Sequence, residues 1–427
     1  MPCPHHLLVA ALLGVACSVP DATEALGEMG DSGEPEAEAD GPEGADGWDP
    51  VDGDESGDDG DDDDDGDDGD EPAAPRCGDG VLDPGELCDD ANDDDFDGCR
   101  SDCSRVDPLD LPEGRWRYFP IVGTACLDGS PAGFAVNHVP DSSDVVVVLG
   151  DGGVCFPDDC DVEQTQIAYE PPTDALFERS EDNPVGDWTM VYVPYCSGDL
   201  HAGNNDAEID GKLRHFHGYD NLRRFLEHWV PAFDGVERVL LTGAGAGGFG
   251  AVLNADQVAD AFGQDTELVV VDDSGPPLSA AVMPPCLQAS FREAWGLDDT
   301  ILAACPGCAP DDFAVDVVEH LLNEHDNLRL GLMSSTADLV IRTTFGFGWS
   351  NLEYDNCDGL ATPVPLGAFH DDLFGIRIDY LDQVSTFFRS GHGHTVLLSD
   401  LFESVDDVTA AEWIGQVVDG ANVHVGP

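Results

Sequence analysis

The sequence contains few basic residues. Lysine and arginine together number 16 against 89 aspartate and glutamate residues, which gives the 427-residue chain a formal net charge of −73. No lysine or arginine precedes Arg76. A chain with this charge repels phosphate backbones and anionic lipid headgroups. We therefore exclude nucleic acid as a partner and expect contact with a membrane only through a lipid anchor.

Apolar runs of membrane-spanning length are also lacking. The apolar run from Leu7 to Val15 has the length of a signal-peptide core and is too short to cross a bilayer. It ends at Val15-Ala16-Cys17, which resembles a lipoprotein signal with Cys17 as the lipidated residue. We expect residues 1–20 to be a signal peptide and the chain to be exported, either secreted or as an outer-membrane, cell-surface lipoprotein.

Residues 21–75 contain few large apolar side chains. Aspartate, glutamate, glycine, proline and alanine make up almost the whole segment, including five consecutive aspartates at 61–65. Its charges repel one another, and it has too little apolar surface to offset the entropy lost on ordering. This composition predicts a disordered, extended linker.

The cysteines predict disulfides. Two of the 14 lie in the signal region, and the remaining twelve fall into a group of four and a group of eight. Even numbers are what pairing in an oxidising compartment requires. In the larger group, Cys155 with Cys160 would close a short loop and Cys126 with Cys196 a longer one, although the sequence does not fix the pairing. The remaining four lie in a lid-like insertion: Cys286, Cys305, Cys308 and Cys357.

Residues 76–104 contain the group of four cysteines but almost no apolar residues. Such a segment cannot fold around a core and must be stapled by disulfides. Its CGDG, PGE and CDD pieces resemble the myxobacterial cysteine-rich disulfide repeat. Asp93, Asp95 and Asp97 match the opening of a calcium loop, but Ser104 stands at the twelfth position, where that loop has glutamate. We favour a disulfide-held module, in which calcium is the only cofactor that the chain suggests.

From residue 107 onward, short apolar runs alternate with helix-like segments. The runs are nearly all apolar, as strands covered on both faces are: Val145–Leu149, Met190–Val193, Val236–Leu241, Leu268–Val271 and Leu328–Met333. Helix-like segments lie between several of them, at Tyr219–Trp229 and Ala251–Phe262. The alternation predicts that residues 107–427 form an α/β domain with a mostly parallel sheet, whose sites lie at the carboxyl ends of the strands.

A glycine-rich turn, LLTGAGAGGFGAVLN at residues 240–254, has two interpretations. Gly243, Gly245 and Gly248 fit the G-x-G-x-x-G fingerprint of dinucleotide-binding domains. Asp272 and Asp273 follow the next strand, at the position where that fold binds the ribose. The turn also fits the G-x-S-x-G nucleophile elbow of hydrolases without its serine. The fingerprint normally opens its domain, whereas at least two strands precede this turn, so we favour the elbow and keep a nucleotide-binding domain as an alternative.

Five segments resemble the pectin acetylesterase and Notum family of carboxylesterases in their order, their spacing and the identity of their residues. They are GDGGVCF at 150–156, YVPYCSGDLHAG at 192–203, FHGYDN at 216–221, TGAGAGGFGAVLN at 242–254 and VDDSGP at 271–276. The resemblance spans about Val122 to Phe402. It implies an α/β-hydrolase fold with helices on both faces of the sheet, and a Ser-Asp-His triad that needs no cofactor.

The same resemblance assigns roles to six residues. Gly245 lies at the position of the nucleophilic serine, Asp338 would be the acid and His394 the base. The oxyanion hole would be formed by the N–H groups of Gly152, Gly153 and Ala246. His217 and Tyr219 are interpreted as packing residues, and we expect no metal at His392 and His394.

Two departures from the family lie at the predicted mouth of the site. Glycine replaces the serine at residue 245, and Asp151 stands in a stretch where the family has Glu-Gly-Gly-Gly. A carboxylate beside an oxyanion hole opposes the negative charge that catalysis must stabilise. We therefore expect a hydrolase domain that is impaired and binds an acylated polysaccharide or similar ester. The alternative is an active esterase that uses another nucleophile or an activated water, with Ser274 interpreted as structural.

Overall fold

The computed structural model describes residues 76–427 apart from 168, 171, 172, 234, 348, 350–356 and 358–361. The signal peptide with Cys17 and the acidic linker of residues 21–75 lie outside the described residues and stay predictions. No helix of the described part is long and apolar enough to cross a membrane.

Strands and helices alternate through most of the chain that follows the cysteine-rich module. In chain order the strands are β1 (Trp116–Pro120), β2 (Gly133–Asn137), β3 (Asp144–Leu149), β4 (Gly153–Phe156), β5 (Asp159–Val162), β6 (Thr189–Val193), β7 (Asn205–Ile209), β8 (Lys212–Phe216), β9 (Arg238–Ala244), β10 (Glu267–Asp273), β11 (Leu328–Ser335), β12 (Val384–Arg389), β13 (Ser404–Val405), β14 (Val408–Thr409) and β15 (His424–Val425). The α-helices are α1 (Gly218–Trp229), α2 (Ala246–Leu253), α3 (Ala255–Phe262), α4 (Pro285–Trp295), α5 (Ile301–Ala304), α6 (Phe313–Glu324), α7 (Leu339–Thr344), α8 (Leu366–Asp379) and α9 (Ala410–Val418).

Nine of these strands form one sheet in the order β1-β2-β6-β3-β9-β10-β11-β12-β15. From β6 to β15 every neighbouring pair is parallel, whereas β1 with β2 and β2 with β6 are antiparallel. The carboxyl ends of β3, β9, β10 and β11 therefore meet at one edge of the sheet. This is the edge at which α/β sheets place their sites.

Side chains of the central strands alternate between two apolar layers. In β3, Val145, Val147 and Leu149 pack into one layer, and Val146 and Val148 into the other, because successive side chains of a strand point to opposite faces. Helices α1 to α4, α6 and α8 contribute to the first layer and α9 to the second. The predicted mostly parallel sheet with helices on both faces is confirmed.

The five predicted strands are all present, but one predicted helix is wrong. Instead of a single helix over Ala251–Phe262, α2 and α3 meet at Asn254, whose backbone leaves the helical conformation. The Asn254 side-chain amide donates to the carbonyl oxygens of His201 (2.9 Å) and Gly250 (2.7 Å). A buried asparagine bonded to backbone in this way competes with regular helix hydrogen bonding. Helix α2 also begins at Ala246, inside the stretch interpreted from the sequence as turn.

All twelve cysteines outside the signal region are paired in disulfides. The cysteine-rich module contains Cys77–Cys103 and Cys88–Cys99. The larger domain contains Cys126–Cys196, Cys155–Cys160, Cys286–Cys357 and Cys305–Cys308. The two loop-closing pairs suggested by the sequence are present, and the four cysteines of the insertion pair with one another.

Carboxylates of the cysteine-rich module bind protein donors. Asp95 accepts from the Ser101 N–H (2.7 Å) and from the Arg223 guanidinium (2.6 Å). Asp97 accepts from the Asn92 amide (2.9 Å). These contacts employ two of the three carboxylates of the calcium-like loop, and calcium binding there stays a prediction.

The module is joined to α1 by ion pairs. Arg100 of the module donates from Nε to Glu227 of α1 at 2.5 Å, and the Glu227 side chain is 3% exposed. Asp95 pairs with Arg223 of the same helix at 2.6 Å. A buried carboxylate needs a partner of opposite charge, so Arg100 couples the module to the larger domain.

Candidate active site

The glycine turn between β9 and α2 has the backbone of a nucleophile elbow. Gly245 lies at its apex with φ +54° and ψ −114°, outside the regions that L-residues ordinarily occupy. Its N–H donates to the carbonyl oxygen of Asp273 (2.8 Å), at the end of β10. A Cβ on Gly247 would lie 2.0 Å from the carbonyl oxygen of Leu149, so the start of α2 lies against the end of β3. The strained elbow is retained although its apex carries no side chain.

The two aspartates that a dinucleotide site would require are buried. Asp272 and Asp273 are 2% and 0% exposed. Asp272 accepts from the Gly275 N–H (2.7 Å), and burial raises its pKa well above the ordinary value. Asp273 accepts from the N–H groups of Val396 and Leu397. Buried carboxylates bonded within the protein are poorly placed to bind a ribose, so this geometry favours the elbow.

The Asp151 carboxylate fills the space in front of Gly245. A Cβ built on Gly245 would lie 2.4–2.5 Å from the three carboxylate atoms of Asp151. Asp151 Oδ1 accepts hydrogen bonds from the N–H groups of Gly152 (2.8 Å) and Ala246 (2.8 Å). Two of the three predicted oxyanion-hole donors therefore converge on one oxygen atom, and that atom belongs to the protein itself.

The predicted base and acid are in contact. His394 Nδ1 lies 2.8 Å from Asp338 Oδ2, and Asp338 is 0% exposed. Asp338 follows β11 and also caps α7, where its side chain accepts from the Ile341 N–H (3.1 Å). Because Nδ1 faces this carboxylate, His394 Nε2 is directed away from it, and Nε2 lies 3.9 Å from Asp151 Oδ2. The acid and base pair is thus arranged as in a triad, with Asp151 in place of a serine hydroxyl.

The His394 loop is held by residues that the sequence did not identify as part of the site. Asp273 Oδ2 accepts from the N–H groups of Val396 (2.6 Å) and Leu397 (2.7 Å). The Ser274 hydroxyl donates to the carbonyl oxygen of His394 (2.6 Å). Ser274 is therefore structural, as expected from the sequence, and Asp273 is a positioning residue. Two adjacent carboxylates after a buried strand were the only signal in the sequence.

The predicted site residues meet at one place, with one exception. Gly245, His394, Gly152 and Ala246 lie around the Asp151 carboxylate, and Asp338 contacts the other side of the His394 ring. The exception is the third predicted donor, Gly153, which opens β4 and pairs there with Val162. The N–H of Gly153 is not among the donors to Asp151, and its role stays a prediction. Within the described residues, no serine, threonine or tyrosine hydroxyl is hydrogen-bonded to His394 Nε2.

Three carboxylates favour the charged form of His394. Burial of the ring favours the neutral form, but the hydrogen bond and charge of Asp338 and the charges of Asp151 and Asp273 outweigh it and raise the pKa of His394. Burial also raises the pKa of Asp273 to about 6, although its backbone hydrogen bonds oppose this effect. Because the folded-state pKa of His394 is raised, its contribution to stability is present below its ordinary pKa and is lost as the pH rises through the folded-state value.

We expect Asp151→Asn to lower the pKa of His394. The substitution removes one of the negative charges that stabilise the imidazolium, while the contact with Asp338 remains. The measurement is a pH titration of the His394 ring protons by NMR. Asp110→Asn is the control, since it removes an exposed carboxylate paired with Arg117. An unchanged His394 titration in Asp151→Asn would show that Asp151 does not face the ring.

A small apolar cavity lies beside α2. It has a volume of about 20 Å³, and its walls include Phe249 of α2, Gly275 and Phe345. A volume of this size holds about one water molecule.

Comparison with known proteins gives a family match for each of the two parts of the chain. Residues 121–301 match the family model described as Pectinacetylesterase. Residues 74–104 match a model described as a domain of unknown function (DUF4215). The second match coincides with the cysteine-rich module, whose four cysteines form two internal disulfides.

Individual relatives cover part of the chain. The palmitoleoyl-protein carboxylesterase NOTUM of Drosophila melanogaster is 28% identical over 64% of this chain and 43% of its own length. The NOTUM protein of Homo sapiens is 30% identical over 32% of this chain and 30% of its own length. Pectin acetylesterase 4 of Arabidopsis thaliana is 24% identical over 36% of this chain and 41% of its own. The matches thus span less than half the length of each of these relatives.

A solved structure shares the fold. The Wnt deacylase Notum from Drosophila superimposes with a TM-score of 0.54 at 20% sequence identity, covering 72% of this chain and 95% of that one. At this identity the likeness establishes the α/β-hydrolase-like fold alone.

Proposed function

We propose that this chain, which carries a domain of the pectinacetylesterase and Notum family, is an exported protein with an impaired ester-hydrolase site. The site serves to bind an acylated carbohydrate or a similar ester. The observation that carries the proposal is the position of Asp151. Its carboxylate takes both the space of the missing serine side chain and the hydrogen bonds of the oxyanion hole. Export is supported by the apolar signal-like start and by six disulfides, which persist in oxidising compartments.

Two independent losses act against ester hydrolysis. Removing the serine of a triad costs on the order of 10⁶ in turnover. In addition, a developing oxyanion about 4 Å from the Asp151 carboxylate would be opposed by roughly 4 kcal/mol at an effective dielectric constant of about 20. The N–H groups of Gly152 and Ala246 already bind a charged acceptor, and such charge-assisted hydrogen bonds are stronger than neutral ones. An acyl carbonyl would have to displace Asp151 before it reached them.

The ligand class is proposed from the family. The named relatives are a palmitoleoyl-protein carboxylesterase and a pectin acetylesterase. Of the two substrate classes that these names give, we propose an acetylated polysaccharide as the ligand.

The test is an assay of the full chain with p-nitrophenyl acetate. We expect a rate no greater than that of His394→Ala, and no covalent labelling by a fluorophosphonate, since this reagent modifies activated serines. In parallel, calorimetry should give tighter binding of acetylated pectin than of the same pectin after saponification. Hydrolysis at an ordinary esterase rate would overturn the impairment, and equal binding of the two pectins would overturn the ligand class.

A second candidate is a hydrolase in which Asp151 replaces serine as the nucleophile. Its Oδ2 is free of the oxyanion hole and faces His394 Nε2 at 3.9 Å, and the side chain is 36% exposed. Oδ2 would attack the acyl carbon, the protonated His394 would give its proton to the departing alcohol, and an anhydride on Asp151 would form. The neutral His394 would then deprotonate a water that attacks Asp151 Cγ, and the oxyanion formed at Oδ1 would be held by Gly152 and Ala246. Its collapse would break the Cγ–Oδ2 bond, release the acyl group as a carboxylate that carries Oδ2, and restore the Asp151 carboxylate with the oxygen from water.

This candidate predicts a trapped intermediate. In His394→Gln, which cannot deprotonate the water, p-nitrophenyl acetate should release about one equivalent of p-nitrophenolate. Mass spectrometry should then find one acetyl group on the peptide that contains Asp151. The absence of a burst of p-nitrophenolate in His394→Gln would exclude Asp151 as the nucleophile.

A further inference from the structure

A second cluster of reactive side chains lies on the hairpin formed by β7 and β8. Asp206 of β7 and His215 of β8 are directly opposed in the register of this antiparallel pair. His217 follows β8 and precedes the first residue of α1. Asp206 Oδ1 lies 2.6 Å from His215 Nδ1 and 3.0 Å from His217 Nε2. Two imidazole nitrogens and one carboxylate oxygen thus converge, and none of these residues belongs to the candidate active site.

The hydrogen bonds of His217 leave its second nitrogen facing an acceptor. His217 Nδ1 lies 3.1 Å from Asn204 Oδ1, and an amide oxygen only accepts hydrogen bonds. This contact favours the tautomer with the hydrogen on Nδ1, in which the Nε2 of the neutral ring directs a lone pair at Asp206. Two electron-pair donors that face each other repel unless a proton or a cation lies between them. An imidazole oriented by a hydrogen bond from its other nitrogen is also the usual arrangement of a metal-binding histidine.

We propose that Asp206, His215 and His217 bind a divalent transition-metal ion, with zinc the best match. Imidazole nitrogen with carboxylate oxygen suits zinc, whereas calcium and magnesium prefer oxygen ligands alone. Three protein ligands leave the fourth position of a tetrahedral ion open to water or to a donor group of a ligand. The metal links the hairpin to the start of α1.

The spacing and exposure of the three side chains fit this ion. Ligand atoms at zinc bond lengths of ~2.0–2.1 Å lie about 3.3 Å apart in a tetrahedron, so His215, now at 2.6 Å from Asp206, must separate from it by about 0.7 Å, and His217, at 3.0 Å, by about 0.3 Å. The side chains of Asp206, His215 and His217 are 49%, 23% and 24% exposed, which leaves the ion a path from solvent. The strongly negative chain also raises the local concentration of cations.

The test uses the full chain after dialysis against a chelator, with Co²⁺ as the spectroscopic probe. We expect one equivalent of Co²⁺ to give the visible absorption of a four- or five-coordinate ion with nitrogen ligands, and one equivalent of Zn²⁺ to abolish it. Asp206→Asn and His217→Ala should each lose this band and weaken Zn²⁺ binding at least tenfold. His370→Ala, which removes an exposed histidine of α8, should behave as the wild type.

The acidic residues at 21–75 give a background of Co²⁺ binding, and comparison of the variants separates this background from binding at the proposed site. Carboxylates bind Co²⁺ in a six-coordinate form with weak visible absorption, and this background is the same in all four proteins. The near-isosteric Asp206→Asn keeps the fold testable if His217→Ala unfolds. A wild-type chain without the band, or equal Zn²⁺ affinity in wild type and Asp206→Asn, would overturn the metal site.

Discussion

The double variant Asp151→Gly with Gly245→Ser is expected to hydrolyse p-nitrophenyl acetate at least about 10³ times faster than the wild-type chain. The loss of a triad serine lowers turnover by a factor on the order of 10⁶, and most of the remaining site is in place. His394 and Asp338 are already in contact at 2.8 Å. The turn at Gly245 keeps the backbone of an elbow, with φ +54°. What is missing is a hydroxyl and an empty oxyanion hole.

Neither single change supplies both. In Gly245→Ser, the new Cβ would lie 2.4–2.5 Å from the Asp151 carboxylate. The serine would have to displace that carboxylate from the N–H groups of Gly152 and Ala246, and the anion would remain at the mouth. Asp151→Gly frees the two N–H groups but provides no nucleophile. We therefore expect each single variant to stay close to the wild-type rate.

The control for this experiment is the triple variant that adds His394→Ala. It should lose the gained rate, because the serine is then without its base. Labelling by a fluorophosphonate should appear in the double variant and map to residue 245. If the double variant keeps the wild-type melting temperature and yet is no faster than Asp151→Gly, the assignment of the elbow, acid and base is wrong.

The sequence predicted the parts of the site that follow from strand order. Apolar runs identified the central strands, and residues after their carboxyl ends meet because parallel strands end at the same edge. This places residue 245 after β9 and Asp338 after β11, and both lie at the site. Contact of His394 with Asp338 was predicted only through the family resemblance, since nothing in the local sequence distinguishes this histidine from a loop residue.

The sequence could not predict where the Asp151 side chain points. A carboxylate near the mouth was expected to repel an oxyanion from a distance. Instead it accepts both N–H groups of the hole, because Gly245 leaves a space into which the side chain can turn. The direction of a side chain depends on its rotamer and on neighbours that are distant in sequence, such as Ala246 for Asp151. Neither can be read from a sequence pattern.

The register of the β7–β8 hairpin explains why the sequence did not predict the cluster of Asp206, His215 and His217. Asp206 and His215 are nine residues apart, and only the pairing of β7 with β8 places them opposite each other. His217 was interpreted as a packing residue, whereas its side chain is 24% exposed and hydrogen-bonded to Asn204 and Asp206. Hairpin register is set by the turn and by burial, and strands this polar give little signal in the sequence.

Removal of the Cys126–Cys196 disulfide is expected to lower the free energy of unfolding by about 4 kcal/mol, since a cross-link that closes a loop of roughly 70 residues constrains the unfolded chain strongly. The two sulfurs are buried, and the cysteines are 70 residues apart in sequence. The segment between them contains β3, β4 and Asp151. The measurement is urea unfolding of Cys126→Ala with Cys196→Ala.

The matched control is Cys305→Ala with Cys308→Ala. These cysteines are three residues apart, so the same chain-entropy relation gives a loss of only about 1.5 kcal/mol. Both pairs of substitutions remove two sulfurs and add no polar group, so the difference between them reports mainly the loop length. Equal losses would mean that the unfolded chain is not what the disulfide at Cys126 constrains. Its stabilisation would then come from packing of the folded loop over the strand ends, and the same variant should distort the Asp151 contacts and shift the His394 titration.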